Sequence, residues 1–501
     1  MELLEKLKYR RQYILTNDNI ENYKDWNIVH IISLKEKWTI CAHPDLEVEQ
    51  VSNEKKSITL LGYLIDPENP SFTNKDILNT LIGLQGLNEI IKTTDNCNGR
   101  FVLIYSCNDS VKLFNDATGF REVYYTTRNG KTWCGSTPNI LKEFLGLEQV
   151  DSNEIKEFRN SSEFLERDSL WLGYDTLIKG VKLLPPNHSL DLLSVELSRF
   201  WPYKEINYIK LSEAVDRISF LLKGFIEGTC RRYNAHMSIT AGWDTRLVLS
   251  CSKEYKDKIF YYTNKTQSLN IKDNDIIIPG KLSDLLGFKL NILEISNDVD
   301  KSFQSVLYNN NILAHDKLLD VFYFDYKNGY DNTINITGAM GNGLARVYMR
   351  IPRKAKINAE NLSRIIGYSN INYVKKVLAI WLDNALDICN KYNINILDLY
   401  QMEQDNSHWG ALTASEQDIV REEMRPFNSR NIIDAFWSLE DKYRYQLHPL
   451  IYIKIIEKNW KQALSVPVNP SLKSGFTRIL RFFKIEQPVY HLYKSLKFKL
   501  E

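Results

Sequence analysis

Met237-Ser238-Ile239-Thr240-Ala241-Gly242-Trp243-Asp244-Thr245-Arg246 is the stretch on which the fold of this chain turns. His236 to Thr240 reads as a short β-strand, Ala241 and Gly242 end it, and Arg246 to Tyr255 reads as a helix. Ligands of open α/β sheets sit at the carboxyl ends of the strands. Small residues at Ala241 and Gly242 let an anion approach the backbone N–H groups of the helix start, where the dipole also favours negative charge. Asp244 is then suited to hold a magnesium ion between phosphates, and Thr245 to donate to a phosphate oxygen. The plainer alternative makes Asp244 or Thr245 a helix cap. Arg246 is expected to face phosphate.

Working outward, Leu211, Ala214, Val215, Ile218, Leu221, Leu222, Phe225 and Ile226 recur at helical spacing before the loop. After it come a predicted strand at Ile259–Thr263, a helix at Ile277–Leu286 and strands at Leu290–Ile295 and Thr333–Thr337. Strands alternating with helices imply a parallel sheet. From about Asn358 the chain reads as mainly helical, with Val374, Val377, Leu378, Trp381, Leu382, Ala385 and Leu386 on one stripe. Upstream, residues 57 to 136 read as short antiparallel strands, with Asn129-Gly130 as a hairpin turn and DILNTLIGLQGLNEIIK as a helix. The pattern changes near Phe200-Trp201-Pro202. The expected architecture is an α+β sheet domain over residues 1–205 and an α/β parallel-sheet domain over 206–501 with a mainly helical carboxyl-terminal extension.

Length supports this division, because a single core stops growing at roughly 250–300 residues and this chain has 501. Its 64 basic and 62 acidic residues leave a net charge of +2, so overall charge gives no argument for nucleic acid as a partner. The seven cysteines are scattered without a CxxC pair, which suits a reducing compartment. The opening residues lack the pattern of a signal peptide, and no window of about 18 uncharged apolar residues occurs, so a cytoplasmic protein without a transmembrane helix is expected. A homo-oligomer is left open. The GxSxG, HExxH and GxxxxGK[ST] patterns are absent. Aromatic residues interleave with Arg478, Arg481, Lys484, Lys494 and Lys497 in the tail, which reads as a packed helix with a solvated basic face, or else as a surface for acidic lipid or a partner.

Thr240 to Thr245 resembles the SGGxDS PP-loop of asparagine synthetases and other N-type ATP pyrophosphatases, with Thr240, Ala241 and Thr245 as conservative replacements and Asp244 retained. Other segments resemble the family in the same order. Asn98-Gly99-Arg100-Phe101, Asp116 and Tyr124-Tyr125 resemble the core of class II glutamine amidotransferase domains, Gly180-Val181 with Leu184-Pro185-Pro186-Asn187-His188 resembles GVxxLPPGH, and Arg425-Pro426-Phe427 resembles ExRxPF. The resemblance implies an Ntn-hydrolase-like first domain and a Rossmann-like PP-loop second domain using ATP and Mg2+. It implies that a small-molecule carboxylic acid is adenylylated and joined to ammonia or an amine donor. Within it Asp244 and Lys473 take catalytic roles, and Asp244 is the magnesium ligand. Thr240, Ala241, Gly242, Asp244, Thr245, Arg246, Thr337 and Gly338 bind the nucleotide, and Arg346 is a further residue suited to phosphate.

Two departures qualify this. The family's glutaminase uses an amino-terminal cysteine, whereas this chain starts Met1-Glu2-Leu3 and its Cys41 reads as a buried apolar residue, so no glutaminase activity is expected. In the loop after the Thr333–Thr337 strand, Ala339, Asn342 and Gly343 stand where the family has carboxylates. A nucleotide-binding relative without turnover, acting through partners, is therefore the alternative. A sulfur-transfer or tRNA-modifying enzyme would want paired cysteines and a basic field, and neither is present.

Overall fold

The computed structural model describes residues 2–20, 25–32, 36–108, 110–345, 351, 356–445, 449–469, 489 and 492. Twelve strands precede residue 200: β1 (Tyr13–Thr16), β2 (Asn27–Ile32), β3 (Lys37–Ala42), β4 (Val48–Ser52), β5 (Lys56–Ile65), β6 (Asn98–Cys107), β7 (Ser110–Asn115), β8 (Tyr124–Arg128), β9 (Lys131–Gly135), β10 (Lys182–Leu183), β11 (His188–Asp191) and β12 (Leu197–Arg199), counted among the described residues. They form two six-stranded sheets, ordered β10-β8-β9-β1-β3-β2 and β12-β11-β7-β6-β5-β4.

Strand β6 shows how the layers assemble. Val102 and Ile104 join Tyr13, Ile40 and Tyr125 of the other sheet in one apolar cluster, while Phe101, Leu103 and Tyr105 join Ile77, Leu78 and Ile90 in another. Alternate residues of a strand point to opposite faces, so a strand buried on both sides ties two layers together. The second cluster brings in helices Asn74–Ile82 and Leu87–Thr94, separated where a single helix was expected by the break at Gly83–Gly86. Helix Pro138–Leu145 covers the outer face of the first sheet through Ile140 and Leu141, against Ile14, Cys41 and Trp133. The result is helix, sheet, sheet, helix. The turn between β8 and β9 is the expected one, with Asn129 at φ 51° and Gly130 at φ 72°.

From residue 234 the sheet is parallel. Strands β13 (Asn234–Ser238), β14 (Phe260–Lys265), β15 (Leu290–Glu294), β16 (Thr333–Ile336) and β17 (Glu422–Met424) lie in the order β15-β14-β13-β16-β17. The chain steps from β13 outward to β15, then returns to β16 on the other side of β13. The order reverses between β13 and β16, the point at which open α/β sheets form a ligand crevice at the carboxyl ends of their strands. Helix Leu211–Arg232 buries the expected stripe from Ala214 to Ile226. Helix Leu450–Trp460 packs on it and on helix Trp243–Cys251.

The two parts meet through buried charge. Arg100 of β6 grips Asp418 with bonds of 2.8 and 2.9 Å and reaches Glu422 at 2.6 Å, while Arg121 reaches Asp418 at 3.2 Å and Glu422 at 2.9 Å. Tyr63 of β5 donates to the Glu423 carbonyl at 2.8 Å. No helix among the described residues is long and apolar enough to cross a membrane, and the seven cysteines are all free, with Cys41 fully buried as expected.

Candidate functional site

Strand β13 ends at Ser238, Ile239 continues it by donating to the Tyr262 carbonyl at 2.8 Å, and the chain then turns through Thr240, Ala241 and Gly242 into helix Trp243–Cys251. Gly242 is the N-cap residue and no side chain caps this helix, so neither Asp244 nor Thr245 serves as the cap. Both lie in the first turn. The Thr240 and Thr245 hydroxyls are 2.9 Å apart, and the Gly242 N–H donates to Thr240 Oγ1 at 3.2 Å. Two hydroxyls, a half-buried carboxylate and a helix start therefore converge within six residues.

Thr337 and Gly338 follow β16 and close on the same point. A methyl group at Gly338 would stand 2.8 Å from the Thr245 nitrogen and 2.9 Å from the Asp244 carbonyl carbon. One at Gly341 would stand 2.9 Å from Asp244 Oδ1. The Tyr452 hydroxyl donates to the Gly341 carbonyl at 2.6 Å and fixes this loop from behind. Met340 sits in the left-handed region at φ 75°, a strain the tight turn imposes. The crevice between β13 and β16 is thus built from the two loops read from the sequence.

Other expected residues are placed differently. Arg246 does not face the loop. It is fully buried, and its guanidinium donates to the carbonyls of Ala463 at 3.2 Å, of Pro467 at 3.0 Å and of Val466, with burial lowering its pKa to about 10. Its position three residues into the helix turns it toward the segment after helix Leu450–Trp460 instead. Gly343 abuts Gln401, whose Cγ would lie 2.7 Å from an added methyl, so a side chain there would meet Gln401. Ala339 turns its N–H to Thr337 Oγ1 at 3.3 Å. Lys473, Arg346 and the basic residues of the tail lie outside the described residues.

Asp275 escaped the sequence reading. It opens helix Asn274–Leu286 after β14 and accepts the Ala241 N–H at 2.9 Å. Loops after neighbouring parallel strands share one end of the sheet, so the acidic run Asp273-Asn274-Asp275 carried a usable signal. Asn469 also reaches the loop, donating to the Ala241 carbonyl at 3.0 Å. No group of three or more His, Cys, Asp or Glu side chains suited to a metal occurs among the described residues. A magnesium ion bound here would rest on one or two carboxylates and on phosphate oxygens, a donor set it accepts.

No protein-family model matches the chain, and no curated protein does. Among solved structures, a glutamine phosphoribosylpyrophosphate amidotransferase from B. subtilis, complexed with ADP and GMP, matches at 8% identity and a TM-score of 0.21, over 58% of this chain and 61% of that one. A structure described as the allosteric regulatory enzyme of purine biosynthesis matches at 7% identity and a TM-score of 0.25, over 58% and 60% of the two chains. The chain thus spans about three-fifths of the length of each, and similarity this slight assigns neither fold nor family.

Proposed function

We propose that this chain is an ATP-dependent, amide-forming ligase of the asparagine-synthetase-like kind. A substrate carboxylate oxygen attacks the α-phosphorus of ATP, pyrophosphate leaves, and ammonia or an amine then displaces AMP from the acyl-adenylate. Splitting the reaction replaces a poor leaving group by AMP. The observation that carries this reading is the meeting of the Thr240–Thr245 and Thr337–Gly341 loops where the strand order reverses. In this reading Thr240 and Thr245 donate to phosphate oxygens, the helix start supplies N–H groups to the same anion, and Gly338 and Gly341 keep the crevice narrow. Asp244, with Asp275 bound to the Ala241 N–H of the same loop, would hold a magnesium ion that offsets phosphate charge. The first part of the chain is read as an amidotransferase-like, Ntn-hydrolase-type domain, a reading its helix–sheet–sheet–helix layering supports.

A second reading has an observation of its own. Asp275 already occupies the Ala241 N–H, and Ala339 and Gly343 supply no carboxylate, which suits a chain that binds nucleotide without turnover. Magnesium-dependent exchange of labelled pyrophosphate into ATP, screened over aspartate and other carboxylic acids, separates the two. Exchange that is lost in Asp244→Ala supports the ligase. ATP binding without exchange for any acid supports the second reading, and absence of ATP binding refutes both.

A further inference from the structure

A cavity of about 30 Å³ lies where the first sheet meets the carboxyl-terminal region, and no residue of the Thr240–Thr245 loop lines it. That volume admits roughly two water-sized groups. Its walls are largely aromatic and apolar, from Tyr124, Trp171, Trp409, Leu170, Leu313 and Leu412, and Glu122 is its buried acid. Leu170 and Trp409 also line an open cleft of about 570 Å³ whose charged residues are Glu166, Asp168, Asp405 and Arg167. Counting Lys317, which pairs with Asp168, three acids face two bases around the cleft, an excess that favours cations near the cavity. Lys317 illustrates the preference, with its ammonium 5.7 Å from the Trp409 ring centroid and 2.6 Å from Asp168.

The backbone around this cavity is costly to build. Asp168 and Ser169, neither of them glycine, sit consecutively in the left-handed region at φ 51° and 59°. His408 and Trp409 come from a ten-residue π-helical segment, Gln401–Gly410. Left-handed non-glycine residues cost of order 1–3 kcal/mol each, and π-helical turns are rare; both gather at binding sites. Here they converge on one small chamber. His408 is held rigidly between the Gln404 carbonyl at 2.8 Å and the Gly173 carbonyl at 2.6 Å.

We propose that this cavity binds the ammonium end of a small primary amine, with Glu122 as its counter-ion, the rings of Tyr124, Trp171 and Trp409 as its walls and the acidic cleft receiving the rest of the molecule. Aromatic rings around a carboxylate attract organic cations through the ring quadrupole and disfavour anions. The size of the chamber selects a single unbranched head. The site stands independently of ATP binding at the Thr240–Thr245 loop.

Binding carries a proton signature. Burial pushes the Glu122 carboxyl up to about 8, with Tyr124 donating to it at 2.6 Å. Arg100 favours its ionisation but is engaged by Asp418 and Glu422, whereas the Asp418 and Glu416 carboxyls oppose it; Ser415 donates to it, and Ser169, Asp175, Thr176, Asn311 and His408 are the other polar residues of the lining. At neutral pH an entering ammonium therefore ionises Glu122, whose proton passes to buffer while the amine keeps its own.

The test is calorimetric titration of the full chain with methylammonium chloride, against sodium chloride and against methanol, in two buffers of different ionisation heat. Saturable methylammonium binding with release of up to one proton, absent for methanol and sodium, is expected, and Glu122→Gln weakens it by about tenfold or more. Equal heats for methylammonium and sodium, binding of methanol, or unchanged affinity in Glu122→Gln overturns the proposal. If Glu122→Gln does not fold by circular dichroism, Trp171→Leu decides: retained affinity overturns the site and lost affinity supports it.

Discussion

Gly338→Ala tests the apposition of the two loops directly. Gly338 has an ordinary backbone conformation, so alanine brings no φ strain, and its main effect on the folded chain is steric. The new methyl would lie 2.8 Å from the Thr245 nitrogen, 2.9 Å from the Asp244 carbonyl carbon and 3.0 Å from Asp244 Cβ. Two of these are backbone atoms within a helix, which cannot rotate away, so the loop after β16 must move by several tenths of an ångström. Overpacking of this kind costs about 1–3 kcal/mol. At about 2–4 °C per kcal/mol for a unit of 150–250 residues, the melting temperature should fall by several degrees. Gly280→Ala is the control: nothing lies within 4 Å of its added methyl, inside helix Asn274–Leu286, and the helix should gain about 0.5–1 kcal/mol. Differential scanning calorimetry on both variants, with pyrophosphate exchange as a second readout, checks the pair. A Gly338→Ala chain that melts at the wild-type temperature would show that the loops do not touch, and the crevice would lose its basis.

Arg246→Met removes the donors to the carbonyls of Ala463, Val466 and Pro467; those of Ala463 and Val466 are buried, and each such orphaned group costs about 1–3 kcal/mol. Limited proteolysis should then cut faster near Val466 than in the wild type, and equal protection would show that other contacts hold this segment. The pH dependence of stability has a definite sign. Burial raises both Glu122 and Glu416 from 4.5 to about 8, and Glu416 faces His315, whose backbone N–H donates to it at 2.8 Å, and the like charges of Asp316 and Glu122. The folded chain holds protons that the unfolded chain releases, so their stabilising contribution is full below pH 4.5 and is lost as pH rises through about 8, at about 1.4 kcal/mol per pH unit for each group. Urea unfolding midpoints measured across that range should fall less steeply for Glu416→Gln; a parallel fall would mean that Glu416 is already ionised in the folded chain.

Much of the architecture was legible because it rests on local chemistry. The stripe from Ala214 to Ile226 has helical spacing, Asn129-Gly130 admits positive φ at both positions, and the small residues of Ala241-Gly242 end a strand where a helix begins. Strand β1 was not legible, since Tyr13 and Leu15 face one core and Ile14 the other, which erases alternation. Strand β17 has only three residues and exists through its pairing with β16.

The sequence by itself determined which segments carry strand and helix character and which loop gathers Thr240, Asp244 and Thr245, because spacing and side-chain size act between near neighbours. The tertiary structure alone decided that the Gly338 loop closes on Asp244, that Asp275, from the helix after β14, accepts the Ala241 N–H, that Arg246 turns away to hold Ala463–Pro467, and that Glu122 lies at an aromatic cavity. Those placements depend on strand order and on packing between segments distant in the chain, which no local pattern encodes.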